Sequence, residues 1–197
     1  MSGRGKRPER RGEDAPPPAS RRPGSASPFP DVVELLRALL RHEVDFIIVG
    51  GVAVVQHGFS RTTRDLDIVP EPSSANIDRL WNALGELEAR PAELPGLRAS
   101  EHAVGLSADS LARGGSWELE TSHGLLHILQ YLVGKVENPD DYARLHERAD
   151  SIRYDFGTVR FVGYSDLIDL KYLAGREQDM TDIRALEEAR RTAGPEG

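Results

Sequence analysis

The chain has 197 residues, a formal net charge of −7 and no cysteine. Its length suits one packed domain with a tail, and the absence of thiols excludes disulfides and thiolate zinc sites and fits a reducing, cytoplasmic compartment. No run approaches the ~20 apolar residues that cross a bilayer, and no signal-peptide core follows the N-terminal charges, so a soluble protein with no membrane partner is expected.

The charge is unevenly spread. Residues 1–30 carry seven Arg/Lys against three Asp/Glu, a balance of +4, which leaves −11 for the remainder. An acidic body argues against a broad nucleic-acid-binding face. Seven prolines among scattered Gly and Ser predict that this basic tail is disordered. A domain is expected over 31–192, with 193–197 disordered again around Gly194-Pro195.

The first predicted element is a helix over Asp31 to His42, with apolar residues at 32, 35, 36, 39 and 40 and Asp31 placed to cap it. Val44 and Phe46 to Val49 read as a buried strand stopped by Gly50-Gly51, and Val52 to Gln56 as one or two turns of helix. Asp65 to Ile68 forms a second strand that ends before Pro70-Glu71-Pro72. Ser73 to Ala89 is an amphipathic helix with Ile77, Leu80, Trp81, Leu84 and Leu87 on its core stripe. Residues 90–115 show little pattern beyond a short helix over 107–113, and a loop that long in a compact domain is either functional or misread. Trp117 to Leu132 is a hairpin turning at Ser122-His123-Gly124. Asn138 to Asp150 reads as a charged surface helix, Ile152 to Tyr154 and Thr158 to Val162 as a second hairpin, and Tyr164 to Ala174 and Asp179 to Arg191 as the last helices.

Two features in this series carry chemistry. A helix entered from a strand through Gly50-Gly51 directs free N–H groups outward, and without Cβ atoms a phosphate can approach them closely. Thirteen residues on, Asp65 and Asp67 alternate with Leu66 and Ile68, so both carboxylates leave one face of the strand while the apolar pair enters the core. Carboxylates that close repel unless a cation lies between them. Hard oxygen donors point to Mg²⁺ or Mn²⁺. Each feature alone is ordinary, a half-buried strand and a glycine turn; order and spacing join them. Neither Gly-x₄-Gly-Lys-Ser/Thr nor Gly-x-Gly-x₂-Gly occurs at this position, which argues against a P-loop NTPase or a kinase.

Gly-Gly followed by Asp-hydrophobic-Asp on a strand resembles the signature of the nucleotidyltransferase fold shared by polymerase-β-like enzymes. The string His57-Gly58, Arg61, Thr63, Asp65-Leu66-Asp67 resembles a small bacterial branch that includes the abortive-infection toxins of the AbiEii type. The resemblance implies an α/β (α+β) fold: a short mixed twisted sheet flanked by helices, with a small C-terminal helical segment. It implies that Gly50 and Gly51 hold the triphosphate of an NTP, that Thr63 lies by the nucleotide, that Arg61 orients Asp65 or touches the nucleotide, and that Asp65 and Asp67 bind Mg²⁺ or Mn²⁺. The activity implied is transfer of NMP from an NTP to an RNA or protein hydroxyl, with a cognate antitoxin as partner. The alternative is a weakened or inactive module that binds nucleotide or a protein.

In the same branch a third carboxylate falls in a Gly-x-hydrophobic-Asp-hydrophobic string. The matching string here is Gly124-Leu125-Leu126-His127-Ile128, so His127 takes that catalytic position. An imidazole removes one negative charge from the metal site and moves a general-base role to a group of higher pKa. A hairpin loop of two or four residues would set Glu118 opposite His127 as a further metal ligand, whereas three would turn it to the other face. Lys171, Arg176, Asp179 and Asp182 resemble the family's last motif, in which a lysine binds nucleotide or phosphate. The structural alternative is that Asp179 caps the last helix, Asp182 sits in its first turn and Lys171 neutralises both.

Overall fold

The computed structural model describes residues 30–92, 105–130 and 139–193. The basic tail over 1–29, the middle of the 90–115 segment and the Gly194-Pro195 ending lie outside the described residues.

Helix α1 (Val32–Arg41) begins where Asp31 Oδ1 accepts the Glu34 N–H at 3.2 Å, and it buries Leu35, Leu36, Ala38 and Leu39. Strand β1 (Phe46–Ile48) is buried at every residue and runs straight into α2 (Gly50–Gln56). Strand β2 (Asp65–Pro70) follows, then α3 (Ser74–Glu86), capped by Ser73. The side chain of buried Asn76 in α3 accepts the Asp45 N–H and donates to the carbonyls of Asp45 and Glu71, which ties α3 to the start of β1. These bonds satisfy a polar side chain that burial would otherwise penalise.

The segment that showed little pattern contains β3 (Arg90–Pro91) and α4 (Ala108–Ala112), whose Ser107 and Ser110 cap each other reciprocally. Strands β4 (Ser116–Thr121) and β5 (Gly124–Leu129) form the expected hairpin, followed by α5 (Pro139–Glu147). Strands β6 (Asp150–Tyr154) and β7 (Gly157–Phe161) form the second hairpin, then α6 (Tyr164–Ala174) and α7 (Glu177–Ala193). Asp150 opens β6 instead of closing the preceding helix. Helix α7 starts two residues before the expected Asp179, because that carboxylate accepts the Arg176 backbone N–H at 3.2 Å from within the first turn.

The described strands make one mixed seven-stranded sheet in the order β3-β4-β5-β2-β1-β7-β6. Strands β1 and β7 pair in parallel, as do β2 and β5, and the other neighbours are antiparallel. Leu66, Ile68, Leu119, Leu126 and Ile128 are fully buried on one face of β2, β4 and β5. Each such side chain contributes roughly 1.5–3 kcal/mol of burial free energy. Helix α1 packs on α3 and α3 on α4, while α2 packs on α6 and α6 on α7. The opposite face of β2 and β5 carries Asp65, Asp67 and His127 together with Leu125, and it is there that the candidate site lies.

Candidate functional site

Pairing fixes the site's geometry. Strands β2 and β5 set Asp65 beside Leu125 and Asp67 beside His127, so by the two-residue alternation all four share one face. The β4–β5 turn holds only Ser122 and His123, with Thr121 paired to Gly124. That even count puts Glu118 directly across from His127, the first of the two registers open to the sequence. Asp65, Asp67 and His127 each offer a ligand atom within 4.8 Å of the other two. Glu118 is exposed and is not one of the three, although its charge reaches His127. Leu125 extends the same face as an apolar surface beside Asp65, 38 % exposed.

The glycine pair meets the carboxylates. Gly50 has φ +62°, and a Cβ built there would fall 1.8 Å from Asp67 Oδ2. Any side chain at 50 would therefore displace the carboxylate as well as strain the backbone. A Cβ at Gly51 would fall 2.5 Å from Thr63 Oγ1 and 2.9 Å from Arg61 Nη2. The Val49 N–H donates to the Asp67 carbonyl at 3.0 Å and holds the glycine turn against β2.

Thr63 orients Asp65: its Oγ1 donates to the Asp65 carbonyl at 3.0 Å and lies 3.4 Å from Oδ1. Arg61, expected to orient Asp65 or touch the nucleotide, pairs with buried Asp182, Nε lying 3.0 Å from Oδ1 and Nη2 donating to Oδ2 at 3.1 Å. Lys171 Nζ lies 3.1 Å from Asp179 and 2.7 Å from Asp182, with all three side chains buried. Arg176 completes the set by bonding Asp179 through Nε at 2.8 Å. This network encloses Lys171 between two carboxylates and connects α6 and α7, through Arg61, to the glycine turn.

The electrostatics follow from partial burial. Burial pushes the Asp65 carboxyl up, and the neighbouring charge of Asp67 adds to it, outweighing His127 and Thr63. Burial pulls the His127 imidazole down, but its hydrogen bond to Asp67 and the charges of Asp67, Glu118 and Asp65 prevail and raise it. Nδ1 of His127 lies 3.1 Å from Asp67 Oδ1, and Nε2 lies 3.1 Å from Ser116 Oγ. Burial also acts on Asp179, yet Arg176 and Lys171 hold its carboxyl below the usual range.

Sequence reasoning reached the two aspartates, His127 and the glycines through strand alternation and spacing. It gave no role to Ser116, whose place becomes readable only once the hairpin register is known. It also gave no site role to Asp182, the carboxylate shared by Arg61 and Lys171.

The donor set fits a divalent cation. Two carboxylates and one imidazole within ligand distance of each other can surround one ion, and the missing Cβ at 50 leaves Asp67 its position. Among the described residues no helix is long and apolar enough to cross a membrane.

No family model and no curated protein matches the chain. Among solved structures, the lincosamide antibiotic adenylyltransferase LnuA with lincomycin bound is similar at 17 % identity and TM-score 0.51, over 81 % of this chain and 96 % of that one. The antibiotic-resistance factor ANT(2'')-Ia follows at 15 % identity and TM-score 0.47, over 79 % and 80 %. An antigenic nucleotidyltransferase-like protein from Paracoccidioides brasiliensis gives 16 % identity and TM-score 0.44, over 81 % and 78 %. At such identities the likeness concerns architecture, and LnuA carries it: this chain has the nucleotidyltransferase fold, a mixed α/β sheet flanked by helices.

Proposed function

We propose that the chain is a metal-dependent nucleotidyltransferase that moves NMP from an NTP to an acceptor hydroxyl, and that residues 31–192 are the working domain. The observation that carries this reading is the convergence of Asp65, Asp67 and His127 beside a glycine that cannot accept a side chain. Asp65 and Asp67 hold Mg²⁺ or Mn²⁺, with His127 at the third position. The ion, when bound, orients the triphosphate and offsets charge developing on the transferred phosphoryl group.

The chain's own groups do the positioning. Thr63 fixes Asp65, and Gly50 and Gly51 offer backbone N–H groups at a point that phosphate oxygens can reach. Arg61 and Lys171 act through Asp182 and Asp179, securing the helices that close on the glycine turn. The acceptor read from the sequence is an RNA or protein hydroxyl, with a toxin paired to a cognate antitoxin in a bacterial cytoplasm as its setting. The lincomycin bound to LnuA makes a small-molecule hydroxyl the second class to assay.

Incubating the protein with each α-³²P-labelled NTP, Mg²⁺ or Mn²⁺ and RNA, protein or lincosamide acceptors should label one acceptor class. Asp67→Asn should abolish that label. A second reading, a nucleotide- or partner-binding module without turnover, is favoured by one observation, the imidazole at position 127 where a carboxylate is expected. Nucleotide binding with no labelled acceptor under any condition would select it.

A further inference from the structure

We propose that this site takes a first-row transition ion in preference to Mg²⁺, with His127 Nδ1 as a direct ligand and Ser116 as the residue that orients it. The inference deepens the metal-dependent reading above and rests on it.

The donor set favours such an ion. Mg²⁺ is held mainly by charged and neutral oxygens, whereas imidazole nitrogen suits Fe, Ni, Cu and Zn. Two carboxylates and an imidazole supply one negative charge fewer than three carboxylates. Mg²⁺, which depends on that charge, is weakened most. An ion with accessible d orbitals recovers binding free energy through the nitrogen donor, in the order Mn²⁺ < Co²⁺ < Ni²⁺.

The imidazole is also oriented for ligation. A ligating histidine nearly always donates its other ring N–H to an oxygen acceptor, which fixes the tautomer and the ring plane. Here Nδ1 lies 3.1 Å from Asp67 Oδ1, a carboxylate that can only accept, and Nε2 lies 3.1 Å from Ser116 Oγ; a cation bound at Nδ1 would replace the proton there and leave the N–H at Nε2 for the Ser116 hydroxyl to accept. Ser116, on β4, pairs with Leu129 and shares the face of Glu118 and His127. The neighbouring strand therefore contributes a positioning hydroxyl to a ligand on β5, with no charge added.

The test uses the full-length protein stripped with EDTA and no nucleotide, titrated calorimetrically with Mg²⁺, Mn²⁺, Co²⁺ and Ni²⁺ in turn. Wild type should bind Ni²⁺ and Co²⁺ far more tightly than Mg²⁺, and His127→Asp should shrink the Mg²⁺ to Ni²⁺ ratio of dissociation constants by at least about tenfold. Ser116→Ala should weaken Ni²⁺ and Co²⁺ roughly 10–100-fold, the usual loss for a ligand's supporting partner, and leave Mg²⁺ unchanged. Should the position-127 variant fail to fold, ¹⁵N-histidine spectra of wild type with diamagnetic Zn²⁺ give the answer. One imidazole of the six in the chain should show Nδ1 coordinated and Nε2 protonated, and Asp67→Asn should remove that signal. A ratio unchanged in His127→Asp, or spectra with no coordinated Nδ1, would overturn the inference. If the ratio is unchanged while NTP binding still needs Asp65 and Asp67, only this inference fails; a shifted ratio without NTP binding fails the proposed function instead.

Discussion

At position 50 the chain has no room for a side chain, because the space a Cβ would take belongs to the Asp67 carboxylate. Gly50→Ala should therefore cost about 1–3 kcal/mol through backbone strain and overlap. It should also weaken metal binding, since Asp67 must move. Gly85 in α3 has nothing within 4 Å of its Cβ direction, so Gly85→Ala should leave stability unchanged or raise it by up to about 1 kcal/mol. Thermal melts and metal titrations of the two variants separate site geometry from glycine chemistry in general.

His127 adds a pH dependence at the same scale. Its imidazole is raised above the ordinary 6.5 in the folded protein, so the protonated ring favours the fold. That contribution is complete below pH 6.5 and is lost as pH rises through the raised value. Asp65, also raised, acts in the same direction over the acidic range. In EDTA, the melting temperature of wild type should fall across the neutral range more than that of His127→Gln. Equal slopes for the two proteins would remove His127 as the source.

Among elements, the β4–β5 hairpin shows what a sequence can and cannot specify. Its strands and turn were legible from alternation and from Ser122-His123-Gly124, but the loop length that decides which face Glu118 takes was not. The last two helices were legible too, whereas the depth at which Lys171 sits was not, because burial depends on which elements pack over it. Lys171, Asp179 and Asp182 form a buried network whose charges compensate one another. Asp182→Ala leaves Lys171 and Arg61 short of a carboxylate and should cost about 3–5 kcal/mol. At about 2–4 °C per kcal/mol for a chain this size, the melting temperature should drop by roughly 6–20 °C. Lys171→Met should cost less, since Asp182 keeps Arg61 and Asp179 keeps Arg176. If Lys171 instead binds phosphate directly, Lys171→Met will lose NTP affinity while melting almost as wild type.

At the scale of the whole molecule, the sheet order could not be read along the chain. The site pair of β2 with β5 and the parallel pair of β1 with β7 both join strands far apart in sequence. Periodicity marks elements and says nothing of such crossovers. Nonetheless the spacing of Gly50-Gly51 and Asp65-Leu66-Asp67 carried the fold, because the antiparallel β1–β2 unit that they bracket lies at the sheet's centre. The piece missed, β3, is two residues long and lies at one edge, where little periodicity is needed, whereas α4 falls within the short helix expected over 107–113.

Asp65 and Asp67 are proposed to form a metal-dependent nucleotide site. Calorimetric titration of each NTP into the protein with Mg²⁺ and with Mn²⁺, repeated on Asp65→Ala/Asp67→Ala, tests it most directly. At least one NTP should bind saturably, need the ion and lose that binding in the double variant. Binding that is indifferent to metal, or that survives loss of both aspartates, would contradict it.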